Sequence, residues 1–238
     1  MTKLCRFVLA ATMLLTLVAL SANASTSIST FPTWNGTDRI CCIAGTYGEA
    51  ITTPSAVASV SQFSFWLQSP QGPGYQFQAF VAPWDNNNYF IPGGLAGVSY
   101  LSAVQTATSS NWVQYTFSGL NVAVTPGTIY MFGVTIDNVF ANDSGYFAYL
   151  GGDLNTHGNS TYYFAYSNEP NGDGTYLGNN WNSVANNGCA DNTSGICGQS
   201  VWDVTYNAAS PTPEPGSFLL LGTGALGLAG AMRRKINL

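Results

Sequence analysis

Few residues in this chain are suited to acid–base or nucleophilic chemistry. His157 is the only histidine, and its surroundings, Asp153-Leu154-Asn155-Thr156-His157-Gly158-Asn159, have loop composition. A Ser–His–Asp triad is defined by placement in space, and the Gly-x-Ser-x-Gly elbow that would mark a nucleophile is missing. A surface-loop histidine is the plainer reading. Glycoside hydrolysis uses two carboxylates flanking the scissile bond. Between residues 25 and 212 the glutamates are Glu49 and Glu169, and eight aspartates are scattered without a spacing that marks a pair. No enzymatic activity is expected.

Two loop chemistries remain. Asp85-Asn86-Asn87-Asn88 and Asn171-Gly172-Asp173-Gly174 are rich in oxygen, and Ca²⁺ takes six to eight oxygen ligands. Asp85 and Asp173 are therefore weak calcium candidates, though neither loop has EF-hand spacing and Asn, Asp and Gly populate turns for conformational reasons. No other metal or cofactor is expected. Residues 25–212 also hold six Trp, thirteen Tyr and eleven Phe. An aromatic face beside amide side chains can hold a sugar, the ring as apolar platform and the amides fixing orientation. Trp84, with Asp85, Asn86 and Tyr89, is the first candidate cluster, and Trp181 among Asn179, Asn180 and Asn182 is the second. The competing reading is that Trp and Tyr are strand residues filling a core.

Cysteine usage points to an oxidising compartment. Cys5 lies in the N-terminal apolar segment, leaving Cys41, Cys42, Cys189 and Cys197 as disulfide candidates. Adjacent strand residues point to opposite faces, and a ring between neighbours is strained. Cys189 and Cys197 flank a short Gly/Asn/Ser loop and are the favoured pair, with Cys41 and Cys42 left open. A zinc site is disfavoured, since no C-x-x-C spacing and no nearby histidine is present.

The elements that must position these residues are strands. Val60-Ser61-Gln62-Phe63-Ser64-Phe65-Trp66-Leu67 places Phe63, Phe65 and Leu67 on one face. Tyr75–Val81 alternates apolar residues with glutamine, and Trp112–Phe117 keeps the period of two. Thr128–Ile136 is apolar on both faces, as a central strand is. Gly145–Leu150, Thr161–Tyr166 and Val201–Tyr206 follow, each bounded by turn residues. With no amphipathic helix between them, the expected fold is all-β, an antiparallel jelly-roll-like β-sandwich spanning 25–206, with 207–212 as linker.

Charge explains the rest of the layout. Only 7% of the chain is charged, against about 25% in ordinary soluble domains. Its 46% hydrophobic content excludes a disordered chain, which needs low hydrophobicity and high charge. Five of the six basic residues lie near a terminus, and residues 25–212 carry one arginine and ten acids, a formal charge of −9. That balance excludes nucleic-acid binding, which needs a basic patch. Lys3 and Arg6 precede an apolar run, Phe7–Leu20, and Ala22-Asn23-Ala24 supplies the small residues of a cleavage site. Residues 1–24 thus read as a signal peptide for Sec export, cut after Ala24.

At the other end, Pro213-Glu214-Pro215 precedes an apolar helix, 216–232, and the basic tail Arg233-Arg234-Lys235. Seventeen helical residues span about 26 Å, slightly short of a hydrocarbon core. Basic tails stay cytoplasmic, which puts the acidic middle on the far side of the membrane. This arrangement, 213–238, resembles the PEP-CTERM sorting signal of Gram-negative bacteria. The resemblance implies recognition by an exosortase, loss of the helix near Pro213-Glu214-Pro215 after a transient inner-membrane stage, and delivery to the cell surface, outer membrane or exopolysaccharide matrix. The middle also resembles the β-sandwich ectodomains of PEP-CTERM surface proteins in Tyr47-Gly48-Glu49-Ala50, Val60–Leu67, Gln76–Asp85, Trp112–Phe117 and Val124–Tyr130. That family brings no enzymatic activity. The resemblance supports fold and location; the expectation built on them is a structural or adhesive role, with a carbohydrate-binding module, calcium-assisted or not, as the alternative, extracellular polysaccharide as its partner, and a secreted hydrolase as the least favoured reading.

Overall fold

The computed structural model describes residues 25–43, 45–69, 74–137, 148–153, 162–167, 177, 181–183 and 199–209, with 223, 224 and 227. The chain divides into two units, one of Ala24–Ala209 and one of Met1–Asn23 with Ser210–Leu238. In the second unit the described residues Thr223, Gly224 and Gly227 are helical and exposed. Among the described residues no helix is long and apolar enough to cross a membrane; most of the expected 216–232 segment lies outside them.

The larger unit is built of strands: β1 (Ser25–Ser29), β2 (Arg39–Ile43), β3 (Thr46–Thr52), β4 (Val57–Gln68), β5 (Tyr75–Pro83), β6 (Tyr100–Leu101), β7 (Gln105–Ala107), β8 (Val113–Ala123), β9 (Ile129–Thr135), β10 (Ala148–Asp153), β11 (Tyr162–Ser167), β12 (Asn182–Ser183), β13 (Gln199–Ser200) and β14 (Trp202–Ala208). They form two antiparallel seven-stranded sheets. The first runs β1-β14-β4-β10-β13, with β8 on β4 and β2 on β10; the second runs β12-β11-β3-β9-β5-β6, with β7 on β5. The expected strands appear, most within a few residues of their expected bounds, though β8 runs on to Ala123, well past the expected Phe117. One boundary is corrected: β14 continues to Ala208, with Asn207 opposite Ser59 and Ala208 opposite Val57, and Ala209 N–H donates to Ala56 O at 3.0 Å. The first residues of the expected linker are therefore sheet, because β4 is long enough to pair with them.

Alternation decides what each face does. In β4, Phe63, Phe65 and Leu67 are buried, and Phe65 meets Trp202 of β14 at 4.6 Å on their own sheet. The same inward set reaches the other sheet, with Phe63 against Phe132 of β9 at 5.8 Å and Phe65 against Phe77 of β5 at 5.9 Å. Phe132 in turn meets Tyr206 of β14 at 6.4 Å. These ring contacts join the sheets into one core. Each fully buried ring of this kind contributes roughly 1.5–3 kcal/mol of transfer free energy. Pro126-Gly127 carries the chain from β8 in one sheet to β9 in the other; Gly127 has φ 72°, the left-handed conformation a tight turn here requires.

The sheets differ on their outer faces. In β8 buried or half-buried residues alternate with exposed ones, so the first sheet turns a wetted face outward. In β9 and β5 nearly every residue is buried. A second cluster covers that outer face: Phe80, Ala82, Ala50 and Met131 beneath, with Trp84, Ile91, Leu177 and Trp181 above. The two-faced apolar pattern of Thr128–Ile136 has this cause.

Candidate binding face and the buried acid

The two sequence candidates for sugar binding meet in that second cluster. Trp84 and Trp181 pack edge to face, 5.2 Å between centroids at 79°, and each is only 6% exposed. Phe80 completes the group at 6.5 Å from Trp181. Rings enclosed in this way are packing groups, and neither has a broad face left for a ligand. The segment carrying Trp181 is drawn onto the sheet by Leu177, whose N–H donates to Asp137 Oδ2 at 3.0 Å. Gly94, with φ 54°, permits the close approach: a Cβ there would lie 2.6 Å from Leu177 O.

Asp85 closes its own turn. Its Oδ1 accepts from Asn87 N–H at 2.8 Å and Asn88 N–H at 3.1 Å, and its Oδ2 accepts from Asn88 Nδ2 at 3.0 Å. These bonds hold the carboxyl below its usual range. The geometry is turn chemistry, with both oxygens engaged by nitrogen donors. Asn86 lies half-buried in the same turn. Among the described residues no group of three metal-ligating side chains is present.

A different set of aromatics stands on the outer face of the first sheet. Trp34 lies 5.6 Å from Trp66 at 51°, and 5.2 Å from Trp112 at 89°. All three are half-buried. Trp66 projects opposite to Phe65 and Leu67 and pairs across strands with Gln114. Tyr149 pairs with Gln68 on the same face, and the Arg39 guanidinium sits 4.0 Å over the Tyr149 ring, a cation–π contact. Trp34 is held from below and behind. Gly151 supplies the floor: a Cβ there would lie 3.0 and 3.1 Å from two Trp34 ring carbons. Trp34 Nε1–H donates to Asp38 O at 2.8 Å. Asn35 Oδ1 accepts from Thr37 N–H, Thr37 Oγ1–H and Asp38 N–H at 2.8, 2.9 and 3.0 Å, which folds residues 34–38 into a tight turn. The sequence carried a signal for Trp66 and Trp112, since each falls on the polar phase of its strand. Trp34 had none, because its position depends on Gly151.

Among the described residues, the inter-sheet core holds one acid. Glu49 shares the phase of Tyr47 and Ile51 in β3 and is fully buried. Ser200 N–H and Oγ–H both donate to Glu49 Oε2, at 3.2 and 2.5 Å. Trp202 Nε1–H donates to Ser200 Oγ at 2.8 Å. Thr30 Oγ1–H donates to Ser200 O at 2.6 Å. Glu49 Oε1 has no hydrogen-bond partner. Burial pushes the carboxyl from its usual 4.5 up to about 8, against the two Ser200 bonds, which pull it down. A serine donating to a carboxyl has the makings of a nucleophile–base pair, but both groups are sealed from solvent, so this cluster ties β13 to β3 rather than meeting a substrate.

Of the cysteines, Cys41 and Cys42 lie in β2, where the register against β10 slips by one residue between Ile40 and Ile43. Strict alternation does not hold across such an irregularity, which removes the reason for assigning the two to opposite faces. Cys189, Cys197, His157, Glu169, Asp173, Ala22, Ala24, Pro213, Glu214, Pro215, Arg233, Arg234 and Lys235 lie outside the described residues.

Residues 211–235 match the PEP-CTERM protein-sorting motif, as the resemblance in sequence implied. That motif marks an exosortase-targeted, exported protein sorted to the cell surface. No curated protein sequence matches the chain. Among solved structures the chain is similar to a clostridial cysteine protease, Cwp84 after propeptide cleavage, at 12% identity and a TM-score of 0.43, covering 78% of this chain and 40% of that one. It is also similar to a structure of the cysteine protease and lectin-like domains of Cwp84, a surface layer associated protein of Clostridium difficile, at 11% identity and a TM-score of 0.39, covering 69% and 32%. The chain thus spans less than half the length of either.

Proposed function

We propose that this exosortase-targeted protein is a non-enzymatic structural or adhesive component of the bacterial surface or its surrounding polysaccharide, displayed as one β-sandwich. The observation that carries the reading is the sorting motif at 211–235, which begins just beyond Ala209, the last residue tied to the sheet among the described residues. A signal placed there can be cut away without removing any strand among the described residues.

The proposed route has three stages. Residues 1–24 direct Sec export and are removed after Ala24. The apolar run 216–232 then holds the chain in the inner membrane, with Arg233, Arg234 and Lys235 on the cytoplasmic side. Exosortase cuts near Pro213-Glu214-Pro215 and releases the β-sandwich unit, which then begins at Ser25, outward. Its single arginine and ten acids suit that side of the membrane. Within it, strands that switch repeatedly between the two sheets support a jelly-roll-like topology, a fold in which paired sheets leave their outer faces for contact. A disulfide between Cys189 and Cys197 fits the exported compartment.

The test is cell fractionation with mass spectrometry of the mature C-terminus. The expected product is a surface or released form that ends near Pro215. An inner-membrane form that retains the Arg233-Arg234-Lys235 tail would overturn the reading.

A further inference from the structure

We infer that Trp34, Trp66 and Trp112 form a binding platform for a single chain of neutral polysaccharide, a ligand class that deepens the adhesive reading above and rests on it. Four observations carry the inference. The three rings come from separate segments, yet Trp34 lies 5.6 Å from Trp66 and 5.2 Å from Trp112 on a wetted sheet face, while the other large aromatic cluster is enclosed. They are pre-set: Gly151 makes room for Trp34, and the Asn35 turn and the Trp34 Nε1–Asp38 bond fix its orientation. A platform ordered before binding loses little entropy when a ligand lands on it.

Uncharged amides border the rings, beside the Asp38 carboxylate, which accepts from Asn35 Nδ2 at 2.7 Å. Gln68 Nε2–H donates to Ser110 O at 2.6 Å and Gln114 Nε2–H to Ser64 Oγ at 3.1 Å. A carboxamide offers two donors and an acceptor oxygen, so each has capacity beyond these bonds for sugar hydroxyls. Pyranose rings present C–H groups on one face and hydroxyls at the edge, which matches indole faces bordered by amides.

Charge selects among partners. Ten acids and one arginine in residues 25–212 repel acidic polysaccharide, nucleic acid and anionic lipid alike. The arginine, Arg39, is engaged over Tyr149. A neutral polymer meets no such penalty. Geometry narrows the choice further. Trp34 stands at 89° to Trp112 and 51° to Trp66, so the rings form a corner rather than a flat strip. A twisted single chain can follow that corner, whereas a crystalline surface needs coplanar rings.

The test uses the purified full chain in detergent and titration calorimetry against hydroxyethyl cellulose, glucomannan, dextran, polygalacturonate and crystalline cellulose. The expected result is binding of at least one soluble neutral polymer, with protection of tryptophan fluorescence from acrylamide. Trp112→Ala and Trp34→Ala each weaken it roughly ten-fold or more, while Val104→Ser, at an exposed site away from the rings, leaves it unchanged. Circular dichroism checks folding, and Trp112→Phe with the wild-type quenching data serve if either alanine variant is unfolded. No neutral binding, binding of polygalacturonate or crystalline cellulose alone, or unaltered binding by folded variants would overturn the inference. Because the assay is indifferent to C-terminal processing, its failure leaves the sorting route standing, and an unprocessed C-terminus leaves the platform standing.

Discussion

Replacing Glu49 by glutamine tests the buried acid directly. The carboxyl sits in the inter-sheet core at about 8, raised from 4.5 by burial. Below pH 4.5 the acid is neutral in both folded and unfolded chains and costs nothing. Between pH 4.5 and 8 the unfolded chain ionises while the folded one keeps its proton. Stability then falls with rising pH, by about 1.4 kcal/mol per pH unit. At pH 7 the loss is about 3 kcal/mol, and above pH 8 it levels off near 5 kcal/mol. Glu49→Gln removes the titration. It also puts an NH₂ where Oε1 has no partner, at a cost of about 1–3 kcal/mol. The net stability at pH 7 is therefore nearly unchanged, and the diagnostic is the slope. Urea unfolding followed by tryptophan fluorescence from pH 5 to 8 reads it. The difference between wild type and variant isolates Glu49 from every other titrating group. Parallel pH dependences for the two proteins would refute a neutral buried Glu49.

Three further outcomes follow from the packing. Gly133→Ala should abolish folding or lower stability by about 3 kcal/mol or more, since its Cβ would lie 2.4 Å from the Phe80 ring and 2.5 Å from Tyr47 O; soluble yield and thermal melting check it. Trp84→Ala should cost about 3–5 kcal/mol, as a core truncation does, and urea denaturation measures it; a loss below about 1 kcal/mol would mean that the second cluster is not a core. Asp85→Ala should weaken the loop 84–90 at neutral pH and matter progressively less as pH falls through the native carboxyl's depressed pKa, because protonation removes the same acceptor; hydrogen exchange at Asn87 and Asn88 across pH reports it.

The legible parts of this protein were those written in local pattern. Phe63, Phe65 and Leu67 announced an inward face by period alone, and Trp202, Val204 and Tyr206 repeat it with no more context. β3 was harder to read as an isolated strand, because Gly48 and Glu49 interrupt its apolar run. Gly48 is there because a Cβ would strike Phe132 O at 2.4 Å, and Glu49 is held there by Ser200 from the other sheet, which donates twice to its Oε2. Both reasons come from residues distant in sequence.

The same distinction divides the tryptophans. Composition showed that aromatics and amides were plentiful, and neighbouring asparagines made Trp84 and Trp181 look wet. Whether a ring meets water depends on what crosses over it. Leu177 and Trp181 return over the β5–β9 sheet and enclose Trp84, while Gly151 lets Trp34 settle beside Trp66 on a sheet face that no other described segment covers. Sequence by itself determined the address, the acidic balance and the strand periodicity, because each is a property of contiguous residues. Only the tertiary structure decided which sheet face is covered, and with it which tryptophans can touch anything outside the protein.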